Sequence, residues 1–304
     1  IIGRLVGSEM CIRDRLLFAA LKLPFLPTYN DSQFKVNYEI NKKNKITIIG
    51  LGALDDFVLN VDANEGVTDA DQRELNEFFL GNIPTQDQWN YTFGVNYLHY
   101  GKNGFQRVVA SRNMLKNKSQ KFFNNIETDA NRLLDYNSFE AENKLRFENT
   151  LIKDGFRFTT GLGYEYARYF NSTFSKVVVN GVPIEVDFES NLYISKAAAF
   201  AQVSKSLFEK KLDVSAGLRT DISTYSASLA NPLNQLSPML SLSYRVNSQW
   251  AISANVARFH QLPSYTVLGF RDQAGNLVNK DNELKYIRAD HFVAGASFLS
   301  LIHI

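Results

Sequence analysis

Glu140, Glu142, Lys144, Arg146 and Glu148 recur at every second position of one segment, and Phe139, Ala141, Leu145, Phe147 and Leu151 occupy the alternate positions. A period of two places all the charges on one face of a β-strand and the apolar groups on the other. Carboxylates and cations at this spacing pair with one another, solvate a polar interior, or line a path for an ion or ligand. Arg157 and Arg219 fall on the polar side of neighbouring segments and join the set. Tyr136, Tyr225 and Tyr265 are expected on connecting loops, where a ring stacks on a ligand or packs the loop itself. A strand with so charged a face and so long an apolar one suits the boundary between lipid and a hydrated lumen.

Other constellations carry less. The stretch DANEGVTDADQRE from Asp62 has oxygen ligands at Asp62 and Asn64, but its glycine comes one place early for a calcium loop. Arg73 also stands where the bidentate Glu belongs. His99, His260, His291 and His303 are scattered without metal-ligand spacing, and no G-x-S-x-G elbow accompanies any serine. Cys11 is the only cysteine, which excludes an internal disulfide and a cysteine metal site. No catalytic, metal or cofactor site is expected, and a net charge of +2 over 304 residues gives no reason to expect a nucleic-acid partner.

The elements that must carry these residues are strands. From Ser237 to Pro263 the chain reads SPMLSLSYRVNSQWAISANVARFHQLP, a hairpin whose apolar face holds Leu240, Leu242, Tyr244, Val246, Trp250, Ile252, Ala254 and Val256. Each arm is about ten residues long with aromatics near its ends, which is the length and flanking of a strand that crosses a bilayer. The same unit recurs along the chain. Phe34 to Ile40 returns through Ile46 to Leu54, Trp89 to Tyr97 returns from Phe105 to Asn113, and Phe156 to Tyr169 follows a turn at Lys153-Asp154-Gly155. Further strands run over Tyr193 to Phe208, Leu212 to Arg219 and up to Phe298.

Short turns near Lys43, Lys102, Asp154, Lys210 and Asn247 alternate with long connections. The long ones cover about 55–87, 114–134, 170–191, 221–235 and 260–285. Thr68 is expected to cap a short helix in the first, and Asn180-Gly181 to turn a small local hairpin in the third. About eleven up-and-down strands with every long loop at one end form an all-β, partial antiparallel transmembrane barrel, with short periplasmic turns and long extracellular loops. The 23 Phe and 14 Tyr fit the aromatic girdles of such a barrel. No run of eighteen apolar residues offers a membrane helix.

Residues 1–15 (IIGRLVGSEMCIRDR) and 299–304 look like translated sequencing-adapter sequence and are expected to be non-native ends. Residues 16–298 are expected to be the barrel section. A rival reading of Arg13, Arg15 and LLFAALKLPFL as a signal peptide is disfavoured by Lys22, Pro24 and the lack of a small-residue cleavage site.

Several segments, in order, resemble the barrel of TonB-dependent outer-membrane receptors. They are LPTYNDSQFKVNYEIN with ITIIGLGALDDF, NIPTQDQWNYTFGVNYLHYG, VVASRNML, LDVSAGLRTD, SPMLSLSYRV, ARFHQLPSYTVLGF and NELKYIRADHFVAGASF. The likeness is nearest to the Bacteroidetes type, which carries a carboxypeptidase-regulatory-like domain ahead of its plug. Met239 departs from it, standing where an Arg is expected after Ser-Pro. The resemblance implies a cell outer-membrane barrel of about 22 strands filled by a plug. It further implies energy-coupled uptake of a siderophore, haem, cobalamin or glycan. The implied partners are outer-membrane lipid, the chain's own plug and, through that plug, the TonB complex. Plug and TonB-contacting box are expected to lie outside this chain. A passive or adhesive barrel is the alternative reading, and a soluble β-protein with two stacked sheets the third.

Overall fold

The computed structural model describes residues 2–6 and 12–299. Twelve strands form one antiparallel sheet in strict sequence order. They are β1 (Ile2–Val6), β2 (Phe25–Asn41), β3 (Asn44–Leu59), β4 (Thr85–Gly101), β5 (Gly104–Phe122), β6 (Arg132–Lys153), β7 (Phe156–Val179), β8 (Val182–Leu207), β9 (Leu212–Ser223), β10 (Ser237–Arg245), β11 (Trp250–Gln261) and β12 (Ile287–Phe298). The eleven strands from β2 onward are the up-and-down set expected from the alternation, and the first and last strands of the sheet do not pair. Among the described residues there are five α-helices: α1 (Ile12–Ala20), α2 (Ala70–Asn82), α3 (Ala227–Ala230), α4 (Tyr265–Leu268) and α5 (Val278–Asp281). Among the described residues no helix is long and apolar enough to cross a membrane. The expected non-native ends fall partly on residues 1, 7–11 and 300–304, which lie outside the described residues.

Two-residue turns close hairpins at both ends of the sheet. Asp154 and Gly155 both have positive φ, 52° and 77°, which matches the right-handed twist of a two-residue hairpin. Asn180 and Gly181 do the same at 53° and 80°, and here the structure corrects the expectation. Instead of a loop over 170–191 containing a separate hairpin, β7 and β8 run on without a break, paired from Phe156–Lys205 to Val179–Val182. Tyr136, expected on a loop, likewise lies inside β6, opposite Ser119 and Thr173. The remaining long connections are 60–84, 123–131, 224–236 and 262–286. In the first, α2 is capped by Asp69 and not Thr68, the Asp69 Oδ1 accepting from Gln72 N–H at 3.1 Å. Asn64, considered above for calcium, instead accepts from Asn76 Nδ2 at 2.9 Å and holds that helix to its loop.

Register carries the two-faced pattern across the whole sheet. Leu151, Phe158, Val203, Ala216, Leu240, Val256 and Phe292 stand directly opposite one another from β6 to β12. Phe292 on this face is 77% exposed and Leu162 62%, so the sheet covers neither with protein. A water-soluble domain does not leave so large an apolar belt open, whereas a bilayer covers it. On the opposite, inner face the row reads Ser111, Lys144, Glu165, Lys196 and Ser223. Gly161 lets the Phe200 ring lie flat on this inner wall, since a Cβ there would sit 2.3 Å from Phe200 Cε1.

Candidate functional site

Three adjacent strands assemble a charge cluster on the inner face. Glu142 and Lys144 come from β6, Glu165 from β7 and Lys196 from β8; the ladder sets Lys144 opposite Glu165 and Glu165 opposite Lys196, with Glu142 one step along the same face. Lys144 Nζ lies 2.7 Å from Glu142 Oε2 and 3.4 Å from Glu165 Oε2. Lys196 Nζ pairs with Glu165 and, at 3.4 Å, with Glu142 Oε1. Asn113 on β5 donates to Glu142 Oε2 at 2.9 Å. Two carboxylates and two ammonium groups cancel, so the wall is polar without a net field of its own.

The cluster is closed from above by the connection 262–286. Tyr265, the first residue of α4, donates its hydroxyl to Glu142 and accepts from Lys196 Nζ at 2.7 Å. Glu165 Oε1 is 3.3 Å from the same oxygen. Burial, reinforced by the neighbouring carboxylates, raises the Tyr265 phenol well above its ordinary range. Around it, Ala167, Tyr169, Leu192, Ile194, Tyr225, Leu229 and Leu268 form an apolar core between the inner wall and the two connections 224–236 and 262–286. Tyr225 donates to the Leu268 carbonyl at 2.7 Å and ties one connection to the other. Its phenol is pushed up to about 12, chiefly by burial and then by the charge of Asp281. Further toward the long-connection end, Ser190 donates to the Gly269 carbonyl and accepts from Arg271 Nε at 2.9 Å.

A cavity of about 400 Å³ opens beside the cluster, lined by Lys144, Arg146, Glu165, Lys196, Arg219, Asp221, His260 and Tyr286 among others. The structure thus brings Glu142, Lys144, Arg146, Arg219 and Tyr265 to one region. Arg146 and Glu148 pair, Glu148 also meets Arg107 at 3.5 Å, and Arg219 forks onto Asp221 at 2.8 and 2.5 Å. Glu140 lies one step further along the same face, opposite Leu115 and Tyr169. Arg157 stands apart, in a second cavity towards the short-turn end with Ser204, Asp213, Ser215 and Ser241. Tyr136 is on the wall, and Tyr225 and Tyr265 are buried, 4% and 7% exposed. Glu165 and Lys196 were missing from the sequence-derived set. The signal for them was present, because each alternates with outward residues, Glu165 between Tyr164 and Tyr166 and Lys196 before Ala197. Among the described residues no three His, Cys, Asp or Glu side chains gather as a metal set.

Comparison with known proteins places the fold. No curated protein matches the chain in sequence. Among solved structures, the copper transporter OprC superposes with a TM-score of 0.64 at 12% identity, covering 91% of this chain and 44% of that one. The siderophore receptor PirA from Pseudomonas aeruginosa gives 0.58 at 12%, covering 90% and 44%. The FpvAI–pyocin S2 complex gives 0.61 at 10%, covering 90% and 40%. The chain therefore spans less than half the length of these structures, and at such identities the likeness is one of fold. The family model described as TonB dependent receptor-like, beta-barrel matches residues 26–301. With the two-faced sheet, the short and long connections and a match over nearly its whole length, the chain belongs to the TonB-dependent receptors of the outer membrane, as part of their β-barrel.

Proposed function

We propose that this chain forms the wall of a receptor that imports a scarce ligand with energy delivered by TonB. The ligand class is that of siderophores, haem, cobalamin or glycans. The plug that fills such a lumen, and through which TonB acts, lies outside the strands described above. The observation that carries the reading is the inner wall itself. Glu142, Lys144, Glu165 and Lys196 pair with one another there, and two connections fold onto them around Tyr265, the arrangement expected of loops over a ligand entrance. Similar structures bear names that speak of siderophores, ferric enterobactin and copper, which favours a metal-bearing ligand. Glu140, Glu142, Lys144, Arg146, Glu148, Arg157 and Arg219 would line the route, and the role assigned to them is passage and not catalysis.

The test is uptake in the native host with the gene deleted, using labelled ferric siderophores, haem, cobalamin and oligosaccharides, each with and without TonB. Loss of one uptake activity, equal to that caused by loss of TonB, is the expected result. Uptake that persists without TonB would instead assign a passive barrel.

A further inference from the structure

At the long-connection end β7 and β8 outrun their neighbours. β6 pairs with β7 as far as Leu134–Ser175 and β9 with β8 as far as Lys196–Ser223, while β7 and β8 stay paired to Val179–Val182. The last link on the β9 side of β8 is Ser195, whose carbonyl accepts from Thr224 N–H and whose N–H donates to Thr224 Oγ1, each at 3.0 Å. Past it the chain turns away into α3. Backbone groups alternate sides along a strand, so Tyr193, Asn191, Glu189, Asp187 and Glu185 present their N–H and C=O groups on the side where β9 has ended. Among the described residues nothing bonds to these groups. They form an open edge of roughly 27 Å, and Pro183, with no N–H to offer, closes the run near the hairpin tip.

The edge is braced from its inner face. Leu192 and Ile194 are buried in the apolar core, Phe188 meets the Phe270 ring edge-on at 5.8 Å between centres, and Ser190 bonds to Gly269 and Arg271. A strand fixed in this way needs little further ordering when another strand is added to it. The alternate side chains, Glu185, Asp187, Glu189, Asn191 and Tyr193, point the other way and are exposed.

The side chains select what can pair there. Glu185, Asp187 and Glu189 line the edge with three carboxylates at every second position, and among the described residues none of them is ion-paired. Lys176, opposite Glu185, lies over the Phe174 ring at 5.5 Å instead. Antiparallel pairing with a second copy about Asp187 would set Glu185 against Glu189 and Asp187 against itself, like charges directly opposite one another. The carboxylates that keep two copies apart attract a strand of the other sign. We propose that the edge of β8 from Glu185 to Tyr193 accepts, as an added strand, an extended segment of another polypeptide with Lys or Arg at every second position. This surface is separate from the lumen and holds whatever ligand the lumen takes.

The experiment uses the receptor extracted from outer membranes in an uncharged detergent, with a fluorescent peptide alternating Lys and Val over about seven residues as probe. Binding should slow hydrogen exchange over residues 185–193. Methylating the peptide nitrogens along one edge removes donors and keeps the charge, and should weaken binding on the order of 10-fold. The Glu185→Gln, Asp187→Asn, Glu189→Gln variant should lose roughly as much, as should the peptide with Glu in place of Lys. Asp187→Pro, which removes one free N–H and leaves the β7–β8 bonds alone, should bind on the order of 10-fold more weakly. Should either variant fail to insert, the methylated and Glu peptides on the wild type still decide. Equal binding of the methylated peptide, or no protection over 185–193 in the bound wild type, overturns strand addition. Equal binding of the Glu peptide overturns the cationic partner, and pairing of two receptors through this edge would assign a second copy in its place. Absence of binding up to about 1 mM peptide overturns the site.

Discussion

The hydroxyl of Tyr265 donates a hydrogen bond to Glu142, a residue 123 positions earlier in the chain, and so joins the connection after β11 to the inner face of β6. The wall contributes Lys196 from β8 to the same phenol.

Tyr265→Phe keeps the ring and removes the bond. Glu142 retains Lys144 and Asn113, so the strands should stay intact while 262–286 loosens by about 1.5–3 kcal/mol, the worth of a hydrogen bond to a charged group. Hydrogen exchange read peptide by peptide checks this. Faster exchange confined to 262–286 and 224–236 is expected, and unchanged protection there would remove the latch role.

Lys196→Met leaves Glu142 and Glu165 facing each other with Lys144 as the remaining cation. Lys196, Glu142 and Glu165 are partly buried, so breaking the set should cost about 3 kcal/mol. Adding Glu165→Gln removes the orphaned charge and should restore part of it. A double-mutant cycle from the temperature at which compact electrophoretic mobility is lost should give a coupling of at least about 1 kcal/mol.

High pH should release the loops before the wall. Folding raises the Tyr225 phenol to about 12, and burial raises that of Tyr265 further still. A phenol raised on folding adds stability that is whole below the unfolded value of about 10 and lost as pH climbs through the folded one. Tyrosinate absorbance should therefore show a late-titrating class between about pH 10 and 12, with loop protection falling in the same window. A single titration near 10 would mean that these rings are not buried.

The two faces should tolerate charge differently. Leu162→Arg, near the middle of the outward band, should cost about 2–4 kcal/mol, and Gln202→Arg on the inner wall about 1 kcal/mol or less. Equal costs would mean that the face assignment is inverted or that the sheet lies outside lipid.

Strand alternation made most of the architecture legible. Phe139 to Leu151 alone declares which side meets lipid, because a period of two leaves no other way to separate five charges from five apolar groups. What alternation does not encode is where a strand stops. The stretch 170–191 reads as a connection with its own small hairpin, yet the Asn180-Gly181 turn is the tip of one continuous pair and β7 and β8 stay paired throughout. The site was legible in half. Glu142 and Lys144 stand out on one strand, but Glu165 and Lys196 gain meaning only from cross-strand register. Tyr265 was read as a ring that stacks on a ligand or packs its loop; it packs, and its hydroxyl adds a contact between distant segments that no local pattern announces.

The contact between the 262–286 connection and the wall also has a mechanical side. Tyr265 and the apolar core around it run as a chord from the β11 end back to β6, β7 and β8, spanning the strands between. Anchored at both ends, that chord ties the 262–286 connection to the wall beneath it, so cutting it at one phenol should let the connection move without the strands.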